Sequence, residues 1–353
     1  MPKIAIIGTT AWGITLGVML AHKGLQVRLW ARTEPEATKL RNAGPNPTML
    51  PVVTFPPQLS ITSSLNEALA DVKAVILAVP SQTMRQNIRL VAVHLTGSTL
   101  IVSAAKGLEI GSGKRMSQVI AEEIDPRFWP NICVLSGPNL SQEILRNLPA
   151  ATVVAAENKA TARIVQKLLA TPNLCVYTNT DVIGVELGGA LKNIIALGAG
   201  MADGLGYGDN AKAAFITRGL TEITALGVAL GVNPLTFSGL AGLGDLIATC
   251  ASPLSRNHYV GVELTNGRSL KEITDSMTGV AEGVSTTAAA WDLARQIGIE
   301  MPITEKIYQV LYQGADPRQA AAELMLAAAR HELAGRKWKL FSFFRRRKRS
   351  QVS

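Results

Sequence analysis

Two lysines stand where charge is unusual. Lys192 lies in Leu187-Gly188-Gly189-Ala190-Leu191-Lys192-Asn193-Ile194-Ile195-Ala196, a stretch so apolar that a lone cation needs a reason. Burying a lysine is costly unless it is paired, and burial in general favours the neutral amine, a setting suited to handing over a proton near neutral pH. A surface lysine lying along an amphipathic helix is the alternative. Lys106 follows the apolar run Leu100 to Ser103 in Ala104-Ala105-Lys106-Gly107, at the carboxyl end of an expected strand, where ligands of open α/β sheets collect. Ser255-Arg256-Asn257 sets a guanidinium fork between two hydrogen-bonding side chains, suited to a phosphate or a hydroxyl. Gly242-Leu243-Gly244-Asp245-Leu246 puts one carboxylate in an apolar turn, suited to substrate hydroxyls. Either segment reads as well as a helix cap. Ser136-Gly137-Pro138-Asn139 sits at another carboxyl end, as a ligand contact or a plain turn.

The elements that must carry these groups follow from the hydrophobic pattern. In the first half, short apolar runs alternate with helix-length amphipathic stretches, the form of a parallel sheet covered by helices. Strands are expected at Ile4 to Ile7, Val27 to Trp30, Ala74 to Val79, Leu100 to Ser103, Ile132 to Leu135, Thr152 to Ala155 and Leu174 to Tyr177. The Pro-rich stretch Pro45 to Pro57 reads as an exposed loop. After about residue 180, Ala/Leu/Gly-rich helical stretches take over, from Val182 to Met201 and from Ala213 to Leu230. The reading is an α/β chain: an N-terminal Rossmann-like dinucleotide-binding domain over 1–180, a mainly helical substrate domain over 181–333, and a tail over 334–353.

The first strand runs into Gly8-Thr9-Thr10-Ala11-Trp12-Gly13, an apolar helix to His22, Gly24 and a second strand, which is a βαβ opening. A glycine permits the tight turn, and the helix N-terminus offers free N–H groups to a pyrophosphate. The pattern has glycine where this chain has Thr10, and a threonine Cβ there would crowd the phosphates. A strand-turn-helix without ligand fits the same residues. At the end of the second strand, Trp30-Ala31-Arg32-Thr33 lacks the acid that binds the ribose of NAD. Arg32 reads as the partner of a 2′-phosphate, favouring NADP or dual use, or as a solvated surface arginine.

Of 353 residues, 47% are hydrophobic and 17% charged, which excludes a disordered chain. The mean hydropathy is +0.21, yet no run approaches the ~20 uncharged apolar residues that spanning a membrane requires. Cys133, Cys175 and Cys250 form no CxxC pair, so neither a disulfide framework nor a zinc site is implied. With no secretory signal at the start, a reducing cytoplasm is expected. The net charge of +9 is concentrated in the tail, where Arg336, Lys337, Lys339, Arg345, Arg346, Arg347, Lys348 and Arg349 lie without acidic neighbours. Aromatics beside that basic run suggest weak contact with anionic lipid, nucleic acid or a solvated tail being the alternatives.

Taken together, the segments Lys106-Gly107-Leu108, Ser136-Gly137-Pro138, Ile183 to Asn193, Ala241 to Leu246, Ser255-Arg256-Asn257, Val280-Ala281-Glu282-Gly283 and Met301 to Tyr312 carry a resemblance. Over roughly residues 3 to 333 the chain resembles the bacterial NAD(P)-dependent glycerol-3-phosphate dehydrogenases. The resemblance implies a cleft between the two domains and reversible reduction of dihydroxyacetone phosphate to sn-glycerol 3-phosphate by NADPH or NADH, supplying phospholipid synthesis, with no metal. It implies that Lys192 is the catalytic lysine and Lys106 a second active-site lysine near cofactor and substrate. Gly137, Asn139, Asn193, Asp245, Thr249, Ser255, Arg256 and Asn257 fall on substrate-side positions. Gly8, Ala11, Trp12, Gly13, Arg32, Thr33, Ser141, Val280 and Glu282 fall on cofactor positions, with Lys106 and Arg256 near the cofactor too. Asn139 and Ser141 depart from the family's usual residues, a small hydroxyl residue and alanine. The apolar helices of the second domain suggest a homodimer. A ketopantoate or β-hydroxyacid dehydrogenase of similar plan is the rival enzyme, argued against by Arg256 and the Lys192 segment; a dinucleotide sensor without turnover is the rival outside the enzymes.

Overall fold

The structure, a computed structural model, describes residues 2–44, 50 and 53–326, so the basic aromatic tail lies outside the described residues. One sheet holds eight strands: β1 (Lys3–Ile7), β2 (Gln26–Trp30), β3 (Leu59–Thr62), β4 (Ala74–Leu77), β5 (Leu100–Ser103), β6 (Ile132–Ser136), β7 (Ala150–Ala155) and β8 (Leu174–Asn179). Their order is β3-β2-β1-β4-β5-β6-β7-β8. Alternation along β1 sends Ile4 and Ile6 into one core layer with Ile14 and Leu16, and Ala5 and Ile7 into the other with Ile88 and Ile120. Strands β4 and β5 are buried at every position, as covering on both faces requires.

The sheet departs from the sequence expectation in two places. Strand β3 follows the Pro-rich stretch and pairs with β2, although four residues carrying the polar Ser60 give little pattern. Strand β7 runs antiparallel to β6, while every other pairing is parallel. Between them lies only the five-residue helix Ser141–Leu145, too little to carry the chain back over the sheet for a parallel return.

Beyond β8 the chain turns helical at Val182, with the Asp181 carboxylate accepting the Gly184 N–H at 2.9 Å as N-cap. The central helix Val182–Gly204 is buried on all sides from Leu187 to Ala202. It is long and apolar enough to cross a membrane, but 83% of its most apolar window is buried inside the protein, the signature of a core helix. Glycines let its neighbours approach: a Cβ on Gly200 would lie 2.0 Å from the His258 carbonyl, and one on Gly261 2.0 Å from that of Leu197. Helix Arg256–Thr265 is thereby seated backbone to backbone on the central helix. Helix Pro302–Tyr312 has no side-chain cap of its own at Met301. Instead, buried Glu222 from helix Gly208–Ala229 accepts the Ile303 and Thr304 N–H groups at 2.8 and 2.9 Å and the Thr304 hydroxyl at 2.7 Å.

Polar bridges join the sheet to the helices. Glu186 on the central helix accepts from Arg115, Ser117 Oγ and the Ser117 N–H, the last at 2.7 Å. Glu282, opening helix Glu282–Ile297, accepts the Ser81 N–H at 2.9 Å and its hydroxyl. These bridges hold the carboxyl edge of the sheet against the helical half.

Candidate active site

Strand order reverses between β1 and β4, and parallel strands bring their carboxyl ends to one edge, so the loops after β1, β2, β4, β5 and β6 meet there. Gly8, after β1, has φ +109°, and a Cβ on it would lie 2.7 Å from the Ala78 carbonyl. A Cβ on Gly13 would come within 2.3 Å of the Gly8 oxygen. Only glycine fits at either position, and the turn delivers the N-terminus of helix Ala11–His22 to a cleft. Thr10 has a structural part in this turn. Its hydroxyl donates to the Ala78 carbonyl at 2.7 Å and accepts the Gly13 N–H at 3.1 Å, so the residue serves as the cap of that helix.

The cleft is shared by both halves. It is lined by Gly8, Ala11, Trp12, Arg32, Ser141, Val280 and Glu282, by Asn139, Lys192, Asn193, Thr249, Ser255 and Asn257, and by Lys106 and Arg256. Gly13, Thr33, Gly137 and Asp245 are not in the lining. Gly13 packs behind Gly8, and Thr33 caps helix Glu34–Ala43 by accepting the Glu36 N–H at 3.4 Å.

Asp245 holds the centre. Only 2% of its side chain is exposed, and both oxygens are taken: Oδ2 by Lys106 Nζ at 2.7 Å, Oδ1 by Lys192 Nζ. It thus grips two ammonium groups, where the sequence suggested a receiver of substrate hydroxyls. Lys192 Nζ also donates to Thr249 Oγ1, and Thr249 stands one turn after Asp245 on helix Asp245–Ala251. Lys106 Nζ has a further acceptor in the Gly137 carbonyl at 2.7 Å. Burial pushes the Lys106 amine down to about 8; the Asp245 carboxylate opposes this and the Lys192 charge adds to it.

A chain of amides supports these groups. Asn193 donates to the Lys106 carbonyl at 3.2 Å, Asn257 donates to Asn193 Oδ1 at 2.9 Å, and the Gly283 N–H donates to Asn257 Oδ1 at 2.8 Å. Ser255 caps its helix by accepting the His258 N–H at 3.2 Å. Arg256 differs from these. Its guanidinium packs against Gly279, where a Cβ would lie 2.2 Å from Nη1, and it makes no hydrogen bond or ion pair with the described residues. Burial raises the Glu282 carboxyl above its ordinary value, while its bonds from Ser81 and the Arg256 charge oppose the rise.

The residues present fit a dinucleotide. Two cleft atoms, Trp12 Nε1 and Asn139 Oδ1, are buried without a hydrogen-bond partner, an unfavourable state that a polar ligand relieves. With the tight turn at Gly8 and the first N–H groups of helix Ala11–His22, they make a cradle for a pyrophosphate and the groups beyond it. Among the described residues no three His, Cys, Asp or Glu side chains gather as a metal site would need.

Among the cleft residues not picked out from sequence are Glu36 and Asn87 and, beside the lining, Ser81. Thr33-x-x-Glu36 has the spacing of a capping box, a structural use that leaves its residue type without a ligand signal. Asn87 and Ser81 carry no local signal, since each acts through a partner distant in sequence, Arg32 and Glu282.

Comparison with known proteins agrees with this geometry. Residues 3–162 match the family model described as the NAD-dependent glycerol-3-phosphate dehydrogenase N-terminus, and residues 181–322 match the one for its C-terminus. A glycerol-3-phosphate dehydrogenase (NAD(P)+) of Dehalococcoides mccartyi is 65% identical over 349 residues, 99% of this chain and 97% of that one. A protein of the same name from Moorella thermoacetica is 50% identical over 95% of this chain and 99% of its own. Among solved structures, a glycerol-3-phosphate dehydrogenase from Coxiella burnetii superposes with TM-score 0.87 at 36% identity, covering 92% of this chain and 98% of that one.

Proposed function

The chain belongs to the NAD-dependent glycerol-3-phosphate dehydrogenase family and interconverts dihydroxyacetone phosphate and sn-glycerol 3-phosphate, and we propose that Lys192 is the residue that moves the proton at C2. The observation that carries this is the pair of ammonium groups, Lys106 and Lys192, held on one buried carboxylate at the cleft.

Gly8, the N-terminus of helix Ala11–His22, Trp12 and Arg32 would hold the dinucleotide, whose reduced nicotinamide supplies a hydride to C2. The protein's own part is charge and proton. Lys192 Nζ, oriented by Asp245 and Thr249, polarises the C2 carbonyl and gives its proton to that oxygen as the C–H bond forms. The amine left behind regains a proton from solvent; in oxidation the neutral amine takes the hydroxyl proton. Lys106 holds the substrate from the other side of Asp245, and Arg256, with no hydrogen-bond or ion-pair partner among the described residues, takes the phosphate as a two-pronged clamp. The amide chain Asn193–Asn257 keeps Lys106 and the opening of helix Glu282–Ile297 in register across the cleft.

Residues 1–180 are then the dinucleotide half and 181–333 the substrate half. The protein would act in the cytoplasm, and its product would supply phospholipid synthesis. A homodimer built on the exposed apolar residues of the helical half, such as Leu235, is testable by light scattering, and a single-chain mass would remove it. Contact of the 334–353 tail with anionic lipid is tested by vesicle co-sedimentation with and without it; equal pelleting removes the idea.

The test of the central reading follows consumption of NADH and NADPH, in parallel, with dihydroxyacetone phosphate. Lys192→Ala is expected to lose kcat by about a thousandfold or more while still binding cofactor. Undiminished turnover in that variant would overturn the role of Lys192.

A further inference from the structure

We infer that Glu36 sets the cofactor preference of this enzyme, accepting the adenosine ribose hydroxyls of NAD(H) and opposing the 2′-phosphate of NADP(H). The inference rests on the cleft being a dinucleotide site.

The residues that directly follow β2 hold no acid, and by themselves they point through Arg32 toward a 2′-phosphate. The fold changes that reading. From Trp30 the chain turns into helix Glu34–Ala43, and the first turn of that helix carries Glu36 back over the ends of β1 and β2. There Oε2 accepts the Arg32 N–H at 3.1 Å, and Oε1 accepts the hydroxyl of Thr9 in the glycine turn. A carboxylate between the glycine turn and the end of β2 stands where this fold places the ribose beside the pyrophosphate. Glu36 belongs to the lining of the cleft, so a ligand reaches it.

The capping-box role does not account for the residue. A reciprocal cap would have its carboxylate accept the Thr33 N–H; it accepts the Arg32 N–H instead, and the Thr33 hydroxyl meets the Glu36 N–H only at 3.4 Å. What remains is an acceptor whose side-chain partner, the Thr9 hydroxyl, is a group that ribose hydroxyls can replace.

Arg32 sits beside it with the opposite charge. Its guanidinium donates to Asn87 Oδ1 at 3.1 Å and lies 5.8 Å from the centre of the Trp30 ring, so this exposed side chain is tethered to the cleft wall. The adenosine end is therefore a carboxylate and a guanidinium side by side. Hydroxyls satisfy the carboxylate and leave Arg32 with its stacking role. A 2′-phosphate gains Arg32 but meets a like charge at Glu36. The balance of the two charges fixes the preference.

Binding without substrate tests this. Trp12 and Trp30 both line the cleft, so NADH and NADPH are each titrated against tryptophan fluorescence in the wild type, Glu36→Gln and Arg32→Gln. Glu36→Gln is expected to shift the ratio of the two Kd values toward NADPH by about tenfold, and Arg32→Gln to shift it toward NADH. An unchanged ratio in Glu36→Gln, with both cofactors bound, overturns this inference alone. Failure of the wild type to bind either cofactor overturns the dinucleotide reading and the inference with it.

Discussion

Replacing Asp245 by asparagine keeps its volume and removes the one negative charge that buried Lys192 and half-buried Lys106 share. Removing one partner of a buried ion pair costs about 3–5 kcal/mol, and divided between two lysines this is about 2 kcal/mol for each. Expressed as proton affinity, that is a shift of about one to two pH units. The direction is fixed: without the anion the Lys106 ammonium is less stable, so its proton leaves at lower pH. Lys106, held at about 8 in the native site, is the group the assay reads. The assay is the pH profile of kcat/KM for dihydroxyacetone phosphate reduction at saturating NADH. The wild type should lose activity as pH rises through about 8, and Asp245→Asn should lose it near pH ~6.5. Asp245 does not line the cleft, so NADH binding reports whether the variant is folded. A variant that binds NADH with an unmoved alkaline limb would refute the argument. Stability carries the opposite sign. Because the folded-state value of Lys106 lies below its ordinary 10.5, this lysine's contribution to stability rises as pH climbs from about 8 toward 10.5.

Two further outcomes follow from packing. Glu222→Ala leaves the buried Ile303 and Thr304 N–H groups without their acceptor and should cost about 2–4 kcal/mol in urea unfolding; a loss below about 0.5 kcal/mol would refute the cap. Gly200→Ala drives a methyl group to 2.0 Å from the His258 carbonyl, so helix Arg256–Thr265 must lift from the central helix. A cost of about 1–3 kcal/mol in thermal unfolding is expected, with a raised KM because Arg256 and Asn257 move with that helix; unchanged values of both would show that the crossing is not tight.

Much of this was legible before any coordinates. Seven of the eight strands announce themselves because a sheet covered on both faces needs uninterrupted apolar runs, and Ile4 to Ile7 or Ala74 to Leu77 have no other use. Leu59–Thr62 escaped because an edge strand needs only half the pattern and this one follows prolines. The direction of β7 escaped because polarity within a sheet is set by the path of the connection, which composition does not record. In the site, Lys192 was legible as a charge out of place. Asp245 was legible as a functional carboxylate but not as the shared anchor of two lysines, since one of its partners, Lys106, arrives from 139 residues away. The bonds of Thr10 and Glu36 were not legible, because a residue's type gives the direction of neither its hydroxyl nor its carboxylate: Thr10 caps its helix, and Glu36 turns to Thr9 and the Arg32 N–H.

The bridges between the two halves also bear on the order in which a growing chain can finish this protein. Ser81 meets its carboxylate 201 residues later, and Lys106 waits 139 residues for Asp245. At a synthesis rate of about 5–20 residues per second, the Ser81 loop leaves the ribosome about 10 to 40 s before Glu282 does. Through that interval the strands can pair with one another while the loops at their carboxyl ends have nothing to close on. The half that would grip the dinucleotide is thus made first, and the arrangement that would do chemistry with it exists only once Glu282 and the helix it opens have followed.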